Sequence, residues 1–564
     1  MAKRWTLWGL FAVLSVAALI SSLGTAFQTL PLNPDMAEMA MIYNGTVHHG
    51  WMFPFTWRFT QDNQVLSLLP FAEIYYALAG VSGSTIIIQG WLIFVVNAAL
   101  TGMLVKVATK SWRWAWLAWL LALLASPMAV GQPAILAYPV THNSVWAFGS
   151  LGAIGLIRYF TDRPKWALPL VLACVFVGTV SDPWFDAAFT APVLLLAWKS
   201  PKWFQADKTM RHPLTKSVII IYIMGRITYF GLELLHMAPG RGIGFASPSA
   251  MIHHLLLLAK STGILLQFYP FPSNLLGWVL WSTYIIGLCG VVTLSFQARR
   301  ENSPAVRILL VFSRLSIGII AAAYVLTNFA HSLWAARFLV NVFYLAIAAL
   351  VTFGAVHWFT SSTLTKLLLG VTLIGYVMLG LTTIDRADWR YTPNWAGTHK
   401  LSKWLIAHNY KNGYGQYFEA NTPLLGVASN EKIIARPLSC NMGYLIPRLA
   451  SGDDQFWFAT APLPSHRGSQ FVAFDENDAK WQNCAIRDFG KPDQKFRHGA
   501  LNIWVYRHDL SQQLILAQSA FRHKWTLMNI ARNRQAIANI GKTLDISSAW
   551  AQSAYTWLLK KGIA

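Results

Sequence analysis

The side chains best suited to chemistry sit in two short acidic turns, each set between apolar runs. The first reads Leu32-Asn33-Pro34-Asp35-Met36-Ala37-Glu38. Pro34 sets up a turn, and Asp35 and Glu38 share a face if a helix begins there. A carboxylate so placed can take the proton of an acceptor hydroxyl or hold a divalent ion. The plain alternative is an N-terminal helix cap. The second turn reads Ser181-Asp182-Pro183-Trp184-Phe185-Asp186. Acids beside an apolar ring are costly to keep charged unless a cation or proton donor compensates. At least one of Asp182 and Asp186 is therefore expected to be functional, with a cap or turn role open for the other.

Candidates for the compensating charge are Arg241 in Pro239-Gly240-Arg241-Gly242, Arg337 at the end of His331-Ser332-Leu333-Trp334-Ala335-Ala336-Arg337, and His142 in Thr141-His142-Asn143. A guanidinium matches a pair of phosphate oxygens. Each could instead be an ordinary headgroup anchor, the reading favoured for any single one of them. Arg226 and Glu233 lie two turns apart within one apolar span, where an ionisable residue is a functional candidate by default. The pairs His48-His49 and His253-His254 are poor metal sites, because adjacent residues on a helix do not face one way.

The elements that must position these groups are mostly apolar. Of 564 residues, 55% are hydrophobic and only 12% charged, which places the chain in a bilayer. After Met1 to Arg4 the apolar run from Trp5 to about Phe27 is too long for a signal peptide core and lacks a small-residue cleavage site, so it reads as an uncleaved first span. Further spans are expected at 85–104, 115–136, 145–159, 167–180, 187–198, 217–236, 275–296, 308–327, 339–357 and 367–383, about eleven in all. Lys106, Lys110, Arg113, Arg158, Arg163, Lys165, Lys199, Lys202, Arg299, Arg300 and Lys366 fall in loops that alternate with the amino terminus, which the positive-inside rule assigns to the cytoplasm. The opposite loops hold Asp35, Glu38, Asp62, Glu73, Asp182 and Asp186. Val65 to Leu78 is read as a helix along the membrane surface, since counting it as a span would turn Lys106 to Arg113 outward.

Beyond Thr383 the composition changes. Residues 385–564 hold no span-length apolar run and are expected to form a soluble mixed α/β domain on the outer side, leaving 1–384 as the membrane module. The stretch from Ser511 onward carries Leu514, Ile515, Ala520 and Phe521 at helical spacing with Arg522, Lys524, Arg532 and Arg534. It is either a solvated basic face or a surface for anionic headgroups. Cys174 and Cys289 fall in spans, whereas Cys440 and Cys484 fall in the outer domain, where oxidation is permitted, and are expected to pair. No nucleotide-binding glycine loop, paired CxxC or HExxH is present, which weighs against an ATP-driven pump, a nucleotide-sugar enzyme and a zinc hydrolase. No nucleic-acid partner is expected.

A first span, an acidic outer loop with surface-lying helices, a second acidic turn several spans later and an outer carboxyl-terminal domain together resemble the GT-C superfamily of membrane glycosyltransferases. The resemblance implies a polyprenyl-phosphate-linked sugar as donor and a glycan or glycolipid as acceptor. It also implies a multi-pass protein of the bacterial inner membrane, with the amino terminus cytoplasmic and the carboxyl-terminal domain periplasmic. Asp35 matches the first-loop catalytic acid, with Glu38 beside it, and Asp182 or Asp186 matches the second acidic position. Arg241, Arg337, Arg226 and His142 are then the expected ligands of the donor phosphate. Asp35 and Glu38 do not form a tight DxD or ExD, so a Mg2+ or Mn2+ cofactor held by Asp35 and Asp182 stands as an open expectation. A polysaccharide polymerase or ligase would lean on a large late outer loop, where Asn328 to Arg337 is short. A transporter or flippase would show two similar halves, and no internal repeat is visible.

Overall fold

The computed structural model describes residues 2–30, 32–124, 135–140, 142–199, 208–235, 237–238, 244–266, 275–297, 303–358, 363–384, 394–448, 452–453, 468–525 and 528. The chain divides into two compact units, Met1–Gly397 with Ala450–Asp453, and Thr398–Leu449 with Asp454–Ala564.

The first unit is helical: α1 (Ala2–Thr29), α2 (Glu38–His49), α3 (Leu69–Ala79), α4 (Gly83–Thr109), α5 (Trp112–Leu124), α6 (Asn143–Thr161), α7 (Ala167–Ser181), α8 (Ala191–Lys199), α9 (Lys208–Leu234), α10 (Pro248–Leu265), α11 (Leu275–Gln297), α12 (Pro304–Leu326), α13 (Val340–His357) and α14 (Thr363–Ile384). Among the described residues five helical stretches are long and apolar enough to cross a bilayer: Phe11–Thr29, Gly83–Thr109, His212–Leu234, Pro304–Leu326 and Leu333–His357. Shorter apolar helices such as Ala167–Ser181 and Thr363–Met378 lie beside them. On α9, Leu214, Val218 and Tyr229 are buried, while Ile220, Ile223, Ile227 and Phe230 are exposed. An apolar face of that kind is stable only against hydrocarbon or another apolar surface.

Helix boundaries follow local chemistry. Ser82 starts α4 with a reciprocal capping box to Thr85. The surface-lying stretch expected from Val65 becomes helical only at Leu69, with Pro70 in its first turn, because Gln64 to Leu68 form a turn closed by the Leu68 and Leu69 N–H groups on the Gln64 carbonyl. Helix α10 was not among the expected spans. His253, His254 and Lys260 interrupt its apolar run, yet His254 Nδ1 bonds the Val325 carbonyl at 3.1 Å and Ser261 meets the Tyr324 hydroxyl at 3.1 Å. Polar residues that find partners on a neighbouring helix do not prevent helix packing.

The second unit carries a six-stranded sheet of order β4-β3-β2-β6-β8-β7, built from β2 (Asn412–Gln416), β3 (Ile434–Asn441), β4 (Tyr444–Pro447), β6 (Gln470–Asp475), β7 (Gln494–His498) and β8 (Leu501–Tyr506). β2 pairs in parallel with β3 and β6, and the other pairings are antiparallel. Alternate residues serve opposite faces, as the strand period requires. Val472 and Phe474 join Tyr414 and Trp504 on one side, while Phe471 and Ala473 join Leu401, Leu405 and Ile503 on the other. The composition break at Asp385 precedes the structural division because the helix Asn394–Ala407 spans it, giving Leu401 and Leu405 to the sheet. Cys440 of β3 and Cys484 of the helix Ala479–Phe489 form a disulfide. Residues 511–525 are helical, and Leu514 is buried in the sheet core, so part of the apolar face of the basic tail is used within its own unit.

A two-residue pair, β1 (Trp57–Arg58) with β5 (Gly452–Asp453), belongs to the first unit.

Candidate functional site

The first acidic turn is organised by Asn33. Its Oδ1 accepts the Met36 N–H at 2.9 Å and its carbonyl accepts the Ala37 N–H at 3.1 Å, which fixes Asp35 in a tight turn just before α2. The same Oδ1 accepts the Tyr138 hydroxyl at 2.8 Å. Glu38 is the first residue of α2, where the helix dipole favours an acid. Its buried carboxylate accepts the Trp57 indole N–H at 3.0 Å.

Tyr138 is the meeting point. Its ring is buried and packs edge-on against Trp334 with centroids 5.3 Å apart. Burial raises the phenol above its usual range, Asp35 and Glu38 push it further up, and the Asn33 hydrogen bond and Arg337 pull it down. Both acids and the guanidinium thus act on one hydroxyl. Arg337 lies in a 3-10 segment, Leu333–Leu339, and its guanidinium rests over the Trp334 and Phe338 rings at 5.6 and 5.0 Å. It is half-buried and forms no ion pair among the described residues.

The second acidic turn meets the same 3-10 segment from the other side. Asp182 closes α7 and is 1% exposed. Its Oδ1 accepts the Trp184 N–H at 2.8 Å, and its Oδ2 accepts the His142 Nδ1–H at 2.5 Å. Trp184 donates its indole N–H to the Phe338 carbonyl at 2.7 Å, and the His142 ring packs on Phe338 with centroids 4.9 Å apart. His142 Nε2 is buried with no partner among the described residues.

The structure therefore brings His142 and, through Trp184, Asp182 to Phe338 beside Arg337, and links the turn that carries Asp35 to Trp334 through Tyr138. The contacts described for Asp186 and Arg226 lie elsewhere. Asp186 begins a π turn, Asp186–Thr190, and its carboxylate accepts from the Thr179 and Tyr222 hydroxyls, both at 3.4 Å. Arg226 lies one turn beyond Tyr222 on α9, over the Tyr229 ring at 6.0 Å. Glu233 sits further along that helix. Arg241 lies outside the described residues. For the expectation that Asp35 and Asp182 share a divalent ion, the structure shows one hydrogen bond on each Asp182 oxygen, from His142 and from the Trp184 N–H, and no group of three His, Cys, Asp or Glu side chains among the described residues.

Asn33, Tyr138, Trp334 and Phe338 were not singled out from the sequence. The Asn33-Pro34 dipeptide is a turn signal that pointed to Asn33. Tyr138, Trp334 and Phe338 carry no comparable mark, because aromatic residues are common at the ends of apolar spans.

Neither a protein-family model nor a curated protein sequence matches the chain. Solved structures do. ArnT from Cupriavidus metallidurans bound to undecaprenyl phosphate superposes with a TM-score of 0.51 at 11% identity, covering 91% of this chain and 99% of that one. The two share a fold. The apo form of the same ArnT gives a TM-score of 0.44, again at 11% identity with 91% and 99% covered. ArnT is a GT-C glycosyltransferase, so the resemblance read from the order of spans and acidic turns holds at the level of fold.

Proposed function

We propose that the chain is a membrane glycosyltransferase that moves a sugar from a polyprenyl-phosphate donor to a hydroxyl of a cell-envelope glycolipid or polysaccharide. The observation that carries this reading is that Tyr138 joins two elements: its hydroxyl bonds Asn33 of the turn that presents Asp35, and its ring packs on Trp334, over which the Arg337 guanidinium rests with no ion pair among the described residues. A cation and a carboxylate at one place are what phosphate departure and proton removal require. That an ArnT structure of the same fold holds undecaprenyl phosphate supports a lipid-linked phosphate as the leaving group here. The charge bias of the loops supports a bacterial inner-membrane protein with this site and the second unit on the periplasmic side.

In this reading the acceptor oxygen attacks the anomeric carbon while its proton passes to Asp35. The bond from that carbon to the phosphate oxygen breaks, its electron pair stays with the phosphate, and Arg337 offsets the charge that develops. Tyr138 and Asn33 hold the turn that presents Asp35. No metal step is needed, because Arg337 supplies the positive charge.

The full chain is to be incubated with short-chain polyprenyl-phosphate sugars and candidate acceptors, with released polyprenyl phosphate as the readout. Asp35→Asn is expected to lower transfer by about 10²–10⁴-fold, the usual worth of a general base. Undiminished transfer by that variant would remove Asp35 from the chemistry.

A further inference from the structure

A cavity of about 400 Å³ opens between α3, α4 and α6, within the range of a small-ligand pocket. Its long wall is apolar: Leu92, Val96 and Leu100 on α4, and Ala147, Phe148 and Leu151 on α6. Leu92 and Val96 are also exposed, so the cavity opens sideways onto the apolar outer surface of the bundle. One end is different. Gln89, Ser67 and Ser144 line it, and Gln64 stands behind them, its amide oxygen accepting from the Ser144 hydroxyl at 3.4 Å. All four are buried. The Gln89 amide oxygen accepts the Tyr76 hydroxyl at 2.8 Å, which leaves its Nε2 buried with no partner among the described residues, and the Gln64 Nε2 is in the same condition.

The two ends are ordered along the helices. Gln89 lies in the second turn of α4 and Ser144 in the first turn of α6, whereas Leu100 and Leu151 lie deeper in each. At 1.5 Å per residue the wall from Gln89 to Leu100 runs about 16 Å. The polar end also abuts the acidic turn, since the Gln64 N–H donates to the Ser181 carbonyl at 3.4 Å. Neutral donors with no cation do not suit a phosphate. An all-hydrocarbon isoprenoid has no oxygen to meet them, and a buried amide N–H left unmet is costly.

We infer that this cavity binds one acyl chain of a membrane lipid, with its ester, amide or hydroxyl oxygen at Gln89 and its methylenes along Leu92, Val96 and Phe148. The assignment does not depend on the transfer reaction, and its test measures binding alone.

The full-length protein in nanodiscs is exposed to a phospholipid bearing a photoreactive group partway down one acyl chain, and the labelled residues are mapped by mass spectrometry. Labelling is expected to concentrate on Leu92, Val96 and Phe148, and to fall with excess unlabelled diacyl phospholipid but not with excess polyprenyl phosphate. Gln89→Leu is expected to reduce labelling about three- to tenfold, the worth of one or two neutral hydrogen bonds, and Ala147→Phe to abolish it by filling the space. Should Ala147→Phe fail to fold, Gln89→Leu and the competition remain decisive. Displacement by polyprenyl phosphate, labelling equal to that of Ile220 and Ile227 on the exposed face of α9, or no change in Gln89→Leu would each overturn the assignment.

Discussion

His142 Nδ1 and Asp182 Oδ2 lie 2.5 Å apart, both side chains almost wholly buried, forty residues from each other in the chain. The pair ends at Phe338: His142 packs on its ring, and Trp184, fixed by Asp182, bonds its carbonyl. Arg337 precedes Phe338, so in the proposed reading the second acidic turn positions the cation that would meet the donor phosphate.

Asp182→Ala is accordingly expected to act through Arg337. Removing the carboxylate strips the Trp184 N–H and His142 Nδ1 of their acceptor, a loss of stability of about 1–3 kcal/mol for each group left unmet. Transfer should fall mainly through a raised KM for the donor. The double variant Asp182→Ala with Arg337→Ala should be little worse than Arg337→Ala alone, because residues acting through one contact are not additive. Full additivity in steady-state kinetics would separate the turn from Arg337.

Arg337→Ala should reduce kcat/KM about 10²-fold, the order seen when one preorganised stabiliser of developing charge is lost. Arg337→Lys should recover little, because an ammonium lacks the planar fork and the stacking over Trp334 and Phe338. Excess EDTA should leave transfer by the unaltered chain unchanged, since the proposed reading takes its positive charge from Arg337. Loss of activity in EDTA, restored by Mg2+ or Mn2+, would return a metal to the site.

How much of this was legible in the sequence follows from what charge can and cannot reveal. Asp35, Glu38, Asp182, His142 and Arg337 stood out because charge near an apolar span is costly and rarely kept without use. Which of them meet depends on packing over more than three hundred residues of chain, and single-sequence periodicity does not contain that. Asp186 was indistinguishable from Asp182 until the π turn after Phe185 directed it to Thr179 and Tyr222. Tyr138 was hidden among interfacial aromatics, though it ties Asn33 to the reach of Arg337. Helix α10 escaped for the opposite reason, since its His254 and Ser261 resemble loop residues until α12 supplies their partners.

Tyr138 gives a pH prediction. Its folded pKa is raised by burial and by Asp35 and Glu38, so the native state holds the phenolic proton more tightly than the unfolded chain does. The stability tied to that proton is fully present below the ordinary phenol pKa of about 10 and is lost as pH rises through the folded value. Tyr138→Phe should cost about 1 kcal/mol at neutral pH, for one hydrogen bond to Asn33, and its unfolding midpoint should fall less steeply above pH 10 than that of the unaltered protein. Parallel alkaline limbs in thermal melts would show that Tyr138 does not contribute.

The disulfide offers a test confined to the second unit. Cys440 and Cys484 are 44 residues apart in sequence and join an inner strand of the sheet to the helix packed upon it. Cross-linking a loop of that length restricts the unfolded chain, and its removal should cost about 2–4 kcal/mol. Cys484 is buried among Tyr414, Leu445 and Trp481, so Cys484→Ala also leaves a small void, whereas Cys440→Ser at the more exposed end isolates the cross-link. Cys440→Ser should therefore lower the unfolding midpoint of this unit by the same amount as reduction of the unaltered protein, with donor turnover at Asp35 and Arg337 retained under native conditions. A midpoint insensitive to both the substitution and reductant would mean that the bond adds nothing to the stability of the sheet.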